Sequence, residues 1–260
     1  MNLVNENYYQ KIKKLNIRHY TGEIPYYSKE LFRKAEVVIL NKINKKSKIL
    51  DLGCGSGRFS INAGEMGFNV TGIDITPEAI KTCKKRAIQK KLIRTKFLVA
   101  DMSKIPFPDN YFDYVFCPRF SINAVATFKK RKKSIEEMVR VVKPGGKVFI
   151  ESFNKLYLGN GPIFLFKNIF GDLIRQIKII FCKLFSKEYQ GLLPGDITYE
   201  SNKVSTASIG YAHLPTFVEL RKLIPKNKNY EFYSIFQIVN NKKIDFLKNF
   251  RYSIWIFIRK

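Results

Sequence analysis

The chain has 260 residues, of which 45% are hydrophobic and 14% aromatic, with only 15 Gly and 10 Pro. This composition excludes intrinsically disordered, collagen-like and small disulfide-bonded proteins, and it supplies enough apolar residues for a full core. The charge is unusual, because 47 Lys and Arg oppose 21 Asp and Glu and leave a net charge of +26. Such a charge fits a nucleic-acid or anionic-membrane partner, or a background of lysines spread along the whole chain.

The cysteines and the apolar segments indicate a cytoplasmic protein without a metal site. Cys54, Cys83, Cys117 and Cys182 form no C-x-x-C pair, so neither a zinc site nor a disulfide framework is predicted. No apolar segment follows the first charged residues, so no signal peptide is predicted. The longest apolar stretch, 162–186, is broken by charged residues and is not predicted to span a bilayer.

Predicted elements begin with a helix and continue as alternating strands and helices. An amphipathic pattern over 31–39 predicts a helix that Ser28 caps. Short apolar runs, each ending at a polar residue, then alternate with helical patterns, as is typical of crossover units on a parallel sheet. Five strands are predicted over 48–53, 69–74, 97–101, 114–117 and 147–152.

One helix between these strands has a recognisable start at Thr76 and Pro77, since Pro is favoured at the first helical position. Its inward face is expected to carry Ile80, Cys83 and Ala87.

A second helix is predicted to start at Ser134, where Ser-x-x-Glu forms a capping box. The turn at 143–146 is expected to end this helix and lead into the fifth strand. The basic run 129–133 is interpreted as the solvated start of the helical region.

After the fifth strand the regular alternation ends. A long apolar and basic helix is predicted within 156–192, followed by a polar stretch over 193–212, a helix near 215–224 and strands over 230–238 and 253–260. The last run is apolar on both faces, as expected of a strand between two neighbours. We predict one domain, with a helical cap (1–45), a core (46–152), an insertion or lid (153–212) and a final helix with strands six and seven (213–260).

Residues 49–60, ILDLGCGSGRFS, hold the most informative motif. Glycines at 53, 55 and 57 lie in the first strand-to-helix turn, where they let backbone amides approach a ligand. Arg58 stands where a dinucleotide fingerprint requires its third glycine.

Acidic residues accompany this turn at the ends of three strands. Asp51 precedes the first glycine and suits a cationic ligand better than a pyrophosphate. Asp74 ends the second strand, where a carboxylate accepts hydrogen bonds from ribose hydroxyls. Asp101 ends the third strand, within reach of an adenine amino group.

These motifs resemble those of the class I S-adenosylmethionine-dependent methyltransferases, especially the group related to quinone-biosynthesis C-methyltransferases. The matching segments are DLGCGSG (51–57), ID (73–74), ADM (100–102), IPFPDNYFDYVFC (105–117) and RVVKPGGKVFI (140–150). The resemblance covers residues 45–152. It implies an α/β, Rossmann-like, mostly parallel seven-stranded sheet of order 3-2-1-4-5-7-6, with helices on both faces and a helical insertion after strand five.

The resemblance also implies roles for individual residues toward S-adenosylmethionine. The methionine part is expected over Gly53, Cys54, Gly55 and Gly57, with Asp51 close by. The remaining expected contacts are the ribose on Asp74, the adenine face on Ile75, the adenine edge on Asp101 and the Met102 backbone, and the reactive methyl group beside Cys117.

The acceptor side offers few candidates for catalysis. Methyl transfer is an in-line displacement that positioning alone accelerates strongly, so no base is required. If a base exists, His213 is the first candidate and His19 the second, with Tyr20 and Tyr211 beside them as positioning groups.

The acceptor itself stays open. Residues 117–120, CPRF, match neither the [DN]-P-P-[YF] of exocyclic-amine methyltransferases nor the Pro-Cys order of enzymes that attack a pyrimidine carbon. This mismatch argues against DNA but leaves tRNA open. Because an apolar insertion is predicted over the acceptor side, we expect a small, hydrophobic metabolite as the acceptor. The alternatives are a wobble-uridine tRNA methyltransferase and a non-catalytic cofactor-binding protein recruited to membrane or RNA. The helix within 162–186 is interpreted as a lid, or else as a contact with an anionic membrane surface.

Overall fold

The structure, a computed structural model, describes residues 2–28, 32–155, 174, 177, 195–200, 209–243, 245 and 253–260. The helices are α1 (Asn2–Tyr27), α2 (Lys34–Leu40), α3 (Arg58–Glu65), α4 (Pro77–Gln89), α5 (Phe128–Val141), α6 (Phe217–Leu223) and α7 (Ile235–Asn240). The strands are β1 (Lys48–Leu52), β2 (Asn69–Asp74), β3 (Thr95–Val99), β4 (Phe112–Cys117), β5 (Val142–Phe153), β6 (Asp196–Glu200), β7 (Ile209–His213), β8 (Asn229–Ser234) and β9 (Ser253–Arg259).

A seven-stranded sheet has the order β3-β2-β1-β4-β5-β9-β8. The strands β1 to β5 are parallel, whereas β9 runs antiparallel to both β5 and β8. This is the predicted order 3-2-1-4-5-7-6, since β8 and β9 are the sixth and seventh strands expected from the sequence. A separate antiparallel pair joins β6 to β7 and aligns Asp196 with His213. It includes part of the polar stretch 193–212, for which no strand was predicted.

Both faces of the central strands are buried, as parallel sheets require. Alternate residues of β1 point to opposite faces. Leu50 and Leu52 pack in a cluster with Met138 of α5, whereas Ile49 packs in a cluster with Leu40 of α2 and Trp255 of β9. Helices therefore cover both faces, and the carboxyl ends of β1 to β5 meet at one edge.

Several local predictions are confirmed. Helix α4 follows Thr76 with Pro77 at its first position, and its buried face carries Ile80, Cys83 and Ala87. Strand β9 pairs with a neighbour on each side, as its two-faced apolar pattern predicted.

The predicted start of α2 was wrong. The helix begins at Lys34 after Arg33, which lies at the N-cap position. Ser28 instead donates its hydroxyl to the carbonyl of Ile24 at the end of α1. The prediction failed because a Ser hydroxyl also bonds to the carbonyl four residues before it, so that Ser28 stands at the end of α1 rather than at the start of α2.

The predicted start of α5 was also wrong. The helix begins at Phe128, and the Thr127 side chain accepts the hydrogen bond from the Lys130 amide. Ser134 lies in the helix interior and donates its hydroxyl to the Lys130 carbonyl. The basic run 129–133 is helical throughout because Lys and Arg are good helix formers.

The strand predicted over 230–238 ends at Ser234, where a new helix starts. The Ser234 hydroxyl accepts from the Gln237 amide, and the Gln237 side chain accepts from the Ser234 amide, a capping box that begins α7. The predicted turn at 143–146 is instead part of β5, where Gly145 has a φ angle of 78°.

Most of the insertion after β5 lies outside the described residues. Of the helix predicted within 156–192, only Ile174 and Ile177 are described, and both are helical and exposed. Within the described part of the chain, no helix is sufficiently long and apolar to cross a membrane.

Candidate active site

A cavity of about 600 Å³ opens at the carboxyl ends of β1 to β5, the edge where open α/β sheets bind ligands. The loops after β1, β2 and β3 contribute one part of its lining. Helix α1, the loop after β4, the end of β5 and the pair β6–β7 contribute the other part. The predicted cofactor residues that line it are Asp51, Gly53, Cys54, Gly55, Asp74, Ile75, Asp101 and Met102.

Left-handed glycines shape the loop after β1. Gly53, Gly55 and Gly57 have φ angles of 67°, 52° and 87°. A Cβ at Gly53 would lie 2.6 Å from the Cβ of Ser121, and a Cβ at Gly57 would lie 3.0 Å from the Sγ of Cys83. Glycine is therefore required at both positions, and the backbone of this loop lies open to a ligand.

Asp74 connects the loops that follow β1 and β2. Its Oδ2 accepts a hydrogen bond of 2.9 Å from the Gly55 amide, and its Oδ1 accepts one of 2.8 Å from the Thr76 amide. Burial raises the pKa of Asp74, and these amides oppose that shift. The carboxylate is thus held at the cavity in a fixed orientation.

Asp51 lines the cavity and has one carboxylate oxygen without a partner among the described residues. The side chain is buried, and its Oδ2 accepts a hydrogen bond of 2.6 Å from Ser60. Among the described residues, its Oδ1 has no hydrogen-bond partner. Burial raises the pKa of Asp51 to about 7. A buried, unsatisfied carboxylate oxygen is the feature that a cationic ligand would neutralise.

Asp101 ties helix α1 to the cavity. Its Oδ2 accepts hydrogen bonds of 2.6 Å from Tyr9 and 2.8 Å from Lys13, and its Oδ1 accepts two from Ser103. Burial opposes ionisation, but the hydrogen bonds outweigh it and lower the pKa of Asp101 to about 2. Tyr9 and Lys13 also line the cavity, and no feature of the sequence had indicated them.

A buried ion pair lies directly after the glycine loop. Arg58, the first residue of α3, donates a hydrogen bond from each terminal nitrogen to the carboxylate of Glu36 in α2. Arg58 lines the cavity and Glu36 is fully buried. The residue that departs from the dinucleotide fingerprint therefore anchors α3 to α2.

Cys117 does not line the cavity. It is the last residue of β4 and fully buried, and burial raises the pKa of its thiol. The cavity lining begins at the next residue, Pro118. Gly57 is likewise absent from the lining and shapes the loop instead. The predicted contact between Cys117 and the methyl group stays a prediction.

The loop after β4 is strained where it meets the cavity. Arg119 and Phe120 have φ angles of 55° and 62°, a left-handed conformation that costs non-glycine residues about 1–2 kcal/mol each. The buried carboxylate of Glu151 accepts a hydrogen bond of 2.8 Å from the Arg119 amide. The Phe120 ring stacks on Phe153, with centroids 3.8 Å apart. These contacts hold an aromatic pair at the cavity.

Tyrosines form part of the same wall. The Tyr20 and Tyr199 hydroxyls lie 3.2 Å apart and join α1 to β6, and Tyr27 lines the cavity beside them. Burial raises the pKa of all three phenols. They are therefore neutral near pH 7 and act as hydrogen-bond donors or acceptors.

Neither histidine lines the cavity. His213 is buried, with Nδ1 2.7 Å from Asp196 Oδ1 and Nε2 2.8 Å from Glu219 Oε1. His19 is buried behind the tyrosines and packs edge-on against Tyr20 and Tyr199.

Tyr211, predicted beside His213, is also buried and donates its hydroxyl to Asp196. Of the residues predicted for catalysis or positioning, Tyr20 is thus the one that reaches the cavity.

The sheet order, the glycine loop and the strand-end carboxylates together define a Rossmann-like fold of the class I S-adenosylmethionine-dependent methyltransferases. A family model described as a methyltransferase domain matches residues 43–180. The chain belongs to this methyltransferase family.

Similar proteins support the same family. A demethylmenaquinone methyltransferase of Geobacillus sp. (strain WCH70) is 31% identical over 152 residues, which are 57% of this chain and 61% of that protein. A 2-methyl-6-phytyl-1,4-hydroquinone methyltransferase of Synechocystis sp. is 35% identical over 117 residues, 45% of this chain and 35% of that protein. The match thus spans less than two thirds of either relative.

A solved structure shows the same fold. A SAM-dependent methyltransferase from Methanosarcina mazei has a TM-score of 0.60 at 23% identity, with 85% of this chain and 95% of that chain covered.

Proposed function

We propose that the chain transfers the methyl group of S-adenosylmethionine to a small, hydrophobic acceptor with a planar ring. The observation that carries this proposal is one cavity that combines strand-end carboxylates with an aromatic wall. The carboxylates suit a cationic cofactor that carries a ribose, and the aromatic wall suits an apolar ring.

The described residues fit the cofactor. Asp51 Oδ1, buried and without a partner among the described residues, suits the positive charge of the methionine part. Asp74 would accept hydrogen bonds from the ribose hydroxyls, Ile75 would pack on the adenine face, and the Met102 backbone would bind the adenine edge. Asp101 would accept a hydrogen bond from the adenine amino group in place of one from Ser103, while keeping its bonds to α1. When bound, the cofactor supplies a methyl group activated by a sulfonium.

The acceptor would lie against the second wall. Phe120 and Phe153 present a stacked pair, and Tyr20 and Tyr199 present neutral hydroxyls. A ring that carries oxygen substituents could pack on the first pair and hydrogen-bond to the second. The names of the two relatives, which contain menaquinone and hydroquinone, support a quinone-type ring.

Catalysis in this arrangement would rest on positioning. Alignment of acceptor and methyl carbon supplies a large part of the acceleration in a displacement of this kind. The strained loop at Arg119 and Phe120 would fix one side of the acceptor. His213 would anchor β7 to β6 and α6 through Asp196 and Glu219, which supports a positioning role rather than direct proton transfer.

Methyl transfer tests the proposal directly. The purified protein is incubated with methyl-labelled S-adenosylmethionine and a panel of naphthohydroquinones, benzohydroquinones and apolar phenols, and products are identified by mass spectrometry. We expect a labelled product with at least one quinol, lost in Asp74→Ala and retained in Asp109→Ala, an exposed acid outside the cavity. Absence of transfer to the whole panel would reject this acceptor class.

The net charge of +26 favours a second candidate, a tRNA methyltransferase. This activity requires tRNA binding that weakens steeply with salt. Filter retention of tRNA that is absent or independent of salt would exclude it. Cofactor binding without methyl transfer to quinols, phenols or tRNA would instead favour a non-catalytic cofactor-binding protein.

A further inference from the structure

A surface outside the cavity combines exposed apolar side chains with lysines, and we propose that it docks the protein on an anionic membrane. This surface, here the α4 surface, consists of the outer face of α4 and the turn that leads into β3. Its residues are Lys81, Lys84, Lys85, Ile88, Lys91, Ile93 and Arg94. None of them lines the cavity.

The apolar part of the α4 surface is unusually exposed. Ile88 and Ile93 expose 78% and 89% of their area, more than any other large apolar side chain among the described residues. The Lys91 amide donates to the Ile88 carbonyl, and the Ile93 amide donates to the Lys91 carbonyl. Because of this tight turn, both isoleucines lie at the same end of α4, where a shared partner could bury them.

Positive charge surrounds this end of the helix. Lys81, Lys84 and Lys85 are exposed and precede Ile88 by seven, four and three residues, the spacings that share a helix face. From residue 79 to residue 100 the sequence contains no acid. Lys90 pairs with Glu65, so it is not counted in the surface.

The backbone conformation of Lys91 supports the proposal independently of the charge composition. It has a φ angle of 54° and follows the C-cap of α4. The Leu92 amide donates to Ala87, and the Lys91 amide donates to Ile88, the pattern of a Schellman motif. Glycine adopts this position without strain, so a lysine here adds a cation beside Ile88 at a conformational cost.

The mixture of side chains favours a lipid surface over RNA. Insertion of exposed isoleucines at the boundary between lipid headgroups and acyl chains removes their apolar area from water and so favours binding. Against a nucleic-acid phosphate backbone, the same side chains would stay in water. The cations are mainly lysines, which attract an anionic surface without bidentate recognition. The α4 surface contains no aromatic side chain on which an unpaired base could stack. The proposal does not depend on the proposed methyl transfer or on residues 162–186.

Vesicle sedimentation with the full chain tests the proposal. Vesicles contain either phosphatidylcholine alone or a mixture with phosphatidylglycerol. We expect binding only to the anionic vesicles, weakened roughly tenfold in Ile88→Ser with Ile93→Ser. Lys91→Gly should weaken binding roughly fivefold without lowering the melting temperature, because it relieves the left-handed strain.

A matched control lies on α6. Val218, which exposes 60% of its area, and the exposed Lys222 are changed to Ser and Glu. This variant should bind vesicles as the wild type does. Equal binding by wild type, the isoleucine variant and Lys91→Gly would overturn the proposal, as would absent binding to anionic vesicles. Loss of tRNA retention in Lys91→Gly, without vesicle binding by the wild type, would identify an RNA surface instead.

Discussion

The amide of Gly55 donates a hydrogen bond of 2.9 Å to Oδ2 of Asp74 and so ties the glycine loop after β1 to the end of β2. The Thr76 amide binds the other carboxylate oxygen. One side chain therefore orients both loops of the proposed cofactor site. Loss of Asp74 would remove a ribose partner and also release the loop that faces the methionine part.

The first prediction concerns the stability cost of substitutions in the glycine loop. Gly53→Ala should lower the free energy of unfolding by about 2 kcal/mol or more, because a left-handed φ and a contact of 2.6 Å with Ser121 act together. Gly67→Ala is the control, since its φ of 89° is similar but no atom lies within 4 Å of the added Cβ. It should cost about 1 kcal/mol.

Urea unfolding measures both variants, and calorimetry measures their affinity for S-adenosylmethionine. Ser121→Gly should recover part of the stability lost in Gly53→Ala. Equal costs for Gly53→Ala and Gly67→Ala would show that the contact with Ser121 is unimportant.

The second prediction concerns Asp51 and the pH dependence of the free energy of unfolding. Its pKa is about 7 in the folded protein against an ordinary value of 3.8, so the folded state holds a proton that the unfolded state releases. The free energy of unfolding should therefore fall as the pH rises from about 4 to 7, by up to about 4 kcal/mol, and stay level above that range. Asp51→Asn should remove this fall.

Thermal unfolding of wild type and Asp51→Asn at pH 5 and pH 8 measures the effect. The increase in melting temperature of Asp51→Asn over the wild type should be larger at pH 8 than at pH 5. Asp109→Asn, which alters an exposed carboxylate, should show no such change. An advantage that is equal at both pH values would mean that Asp51 is ionised in the folded protein throughout.

The contact between α1 and Asp101 makes the third prediction. Lys13→Met should lower the free energy of unfolding at pH 7 by about 1–2 kcal/mol, because a charge-assisted hydrogen bond of 2.8 Å is lost. The pKa of Asp101 is lowered to about 2, so this stabilisation is complete above pH 3.8 and disappears as the pH falls toward 2.

Urea unfolding at pH 7 and pH 3 measures this difference. Lys14→Met, an exposed neighbour on the same helix, is the control and should unfold as the wild type does. A loss in Lys13→Met that does not shrink at pH 3 would contradict a role for the ionised Asp101 carboxylate.

Most residues predicted for the cofactor line one cavity, and they could be placed there from the sequence because their signals are local. Asp51 and the glycine turn stand within one short segment, and Asp74 and Asp101 follow strands whose ends meet at one edge. Tyr9 and Lys13 could not be predicted, since 92 and 88 residues separate them from Asp101. Such contacts depend on where a whole helix packs, which no short pattern contains.

The residues proposed for the acceptor were harder to predict for a related reason. His213 was recognised as a candidate base from its residue type, but its contact with Asp196 depends on the pairing of β6 with β7. Its contact with Glu219 depends on where α6 begins after β7. That pairing includes residues of a polar stretch without periodicity. By contrast, the capping box at Ser234 and Gln237 is a local sequence pattern. It was missed because the apolar run 230–238 around it predicts a continuous strand.

Calorimetric titration with S-adenosylmethionine tests the central claim most directly. We expect the wild type to bind and Asp74→Ala to bind at least about tenfold more weakly, because hydrogen bonds to a fixed carboxylate are lost. Asp109→Ala should bind as the wild type does. Equal affinity in wild type and Asp74→Ala, or no binding by the wild type, would contradict the assignment of this cavity to the cofactor.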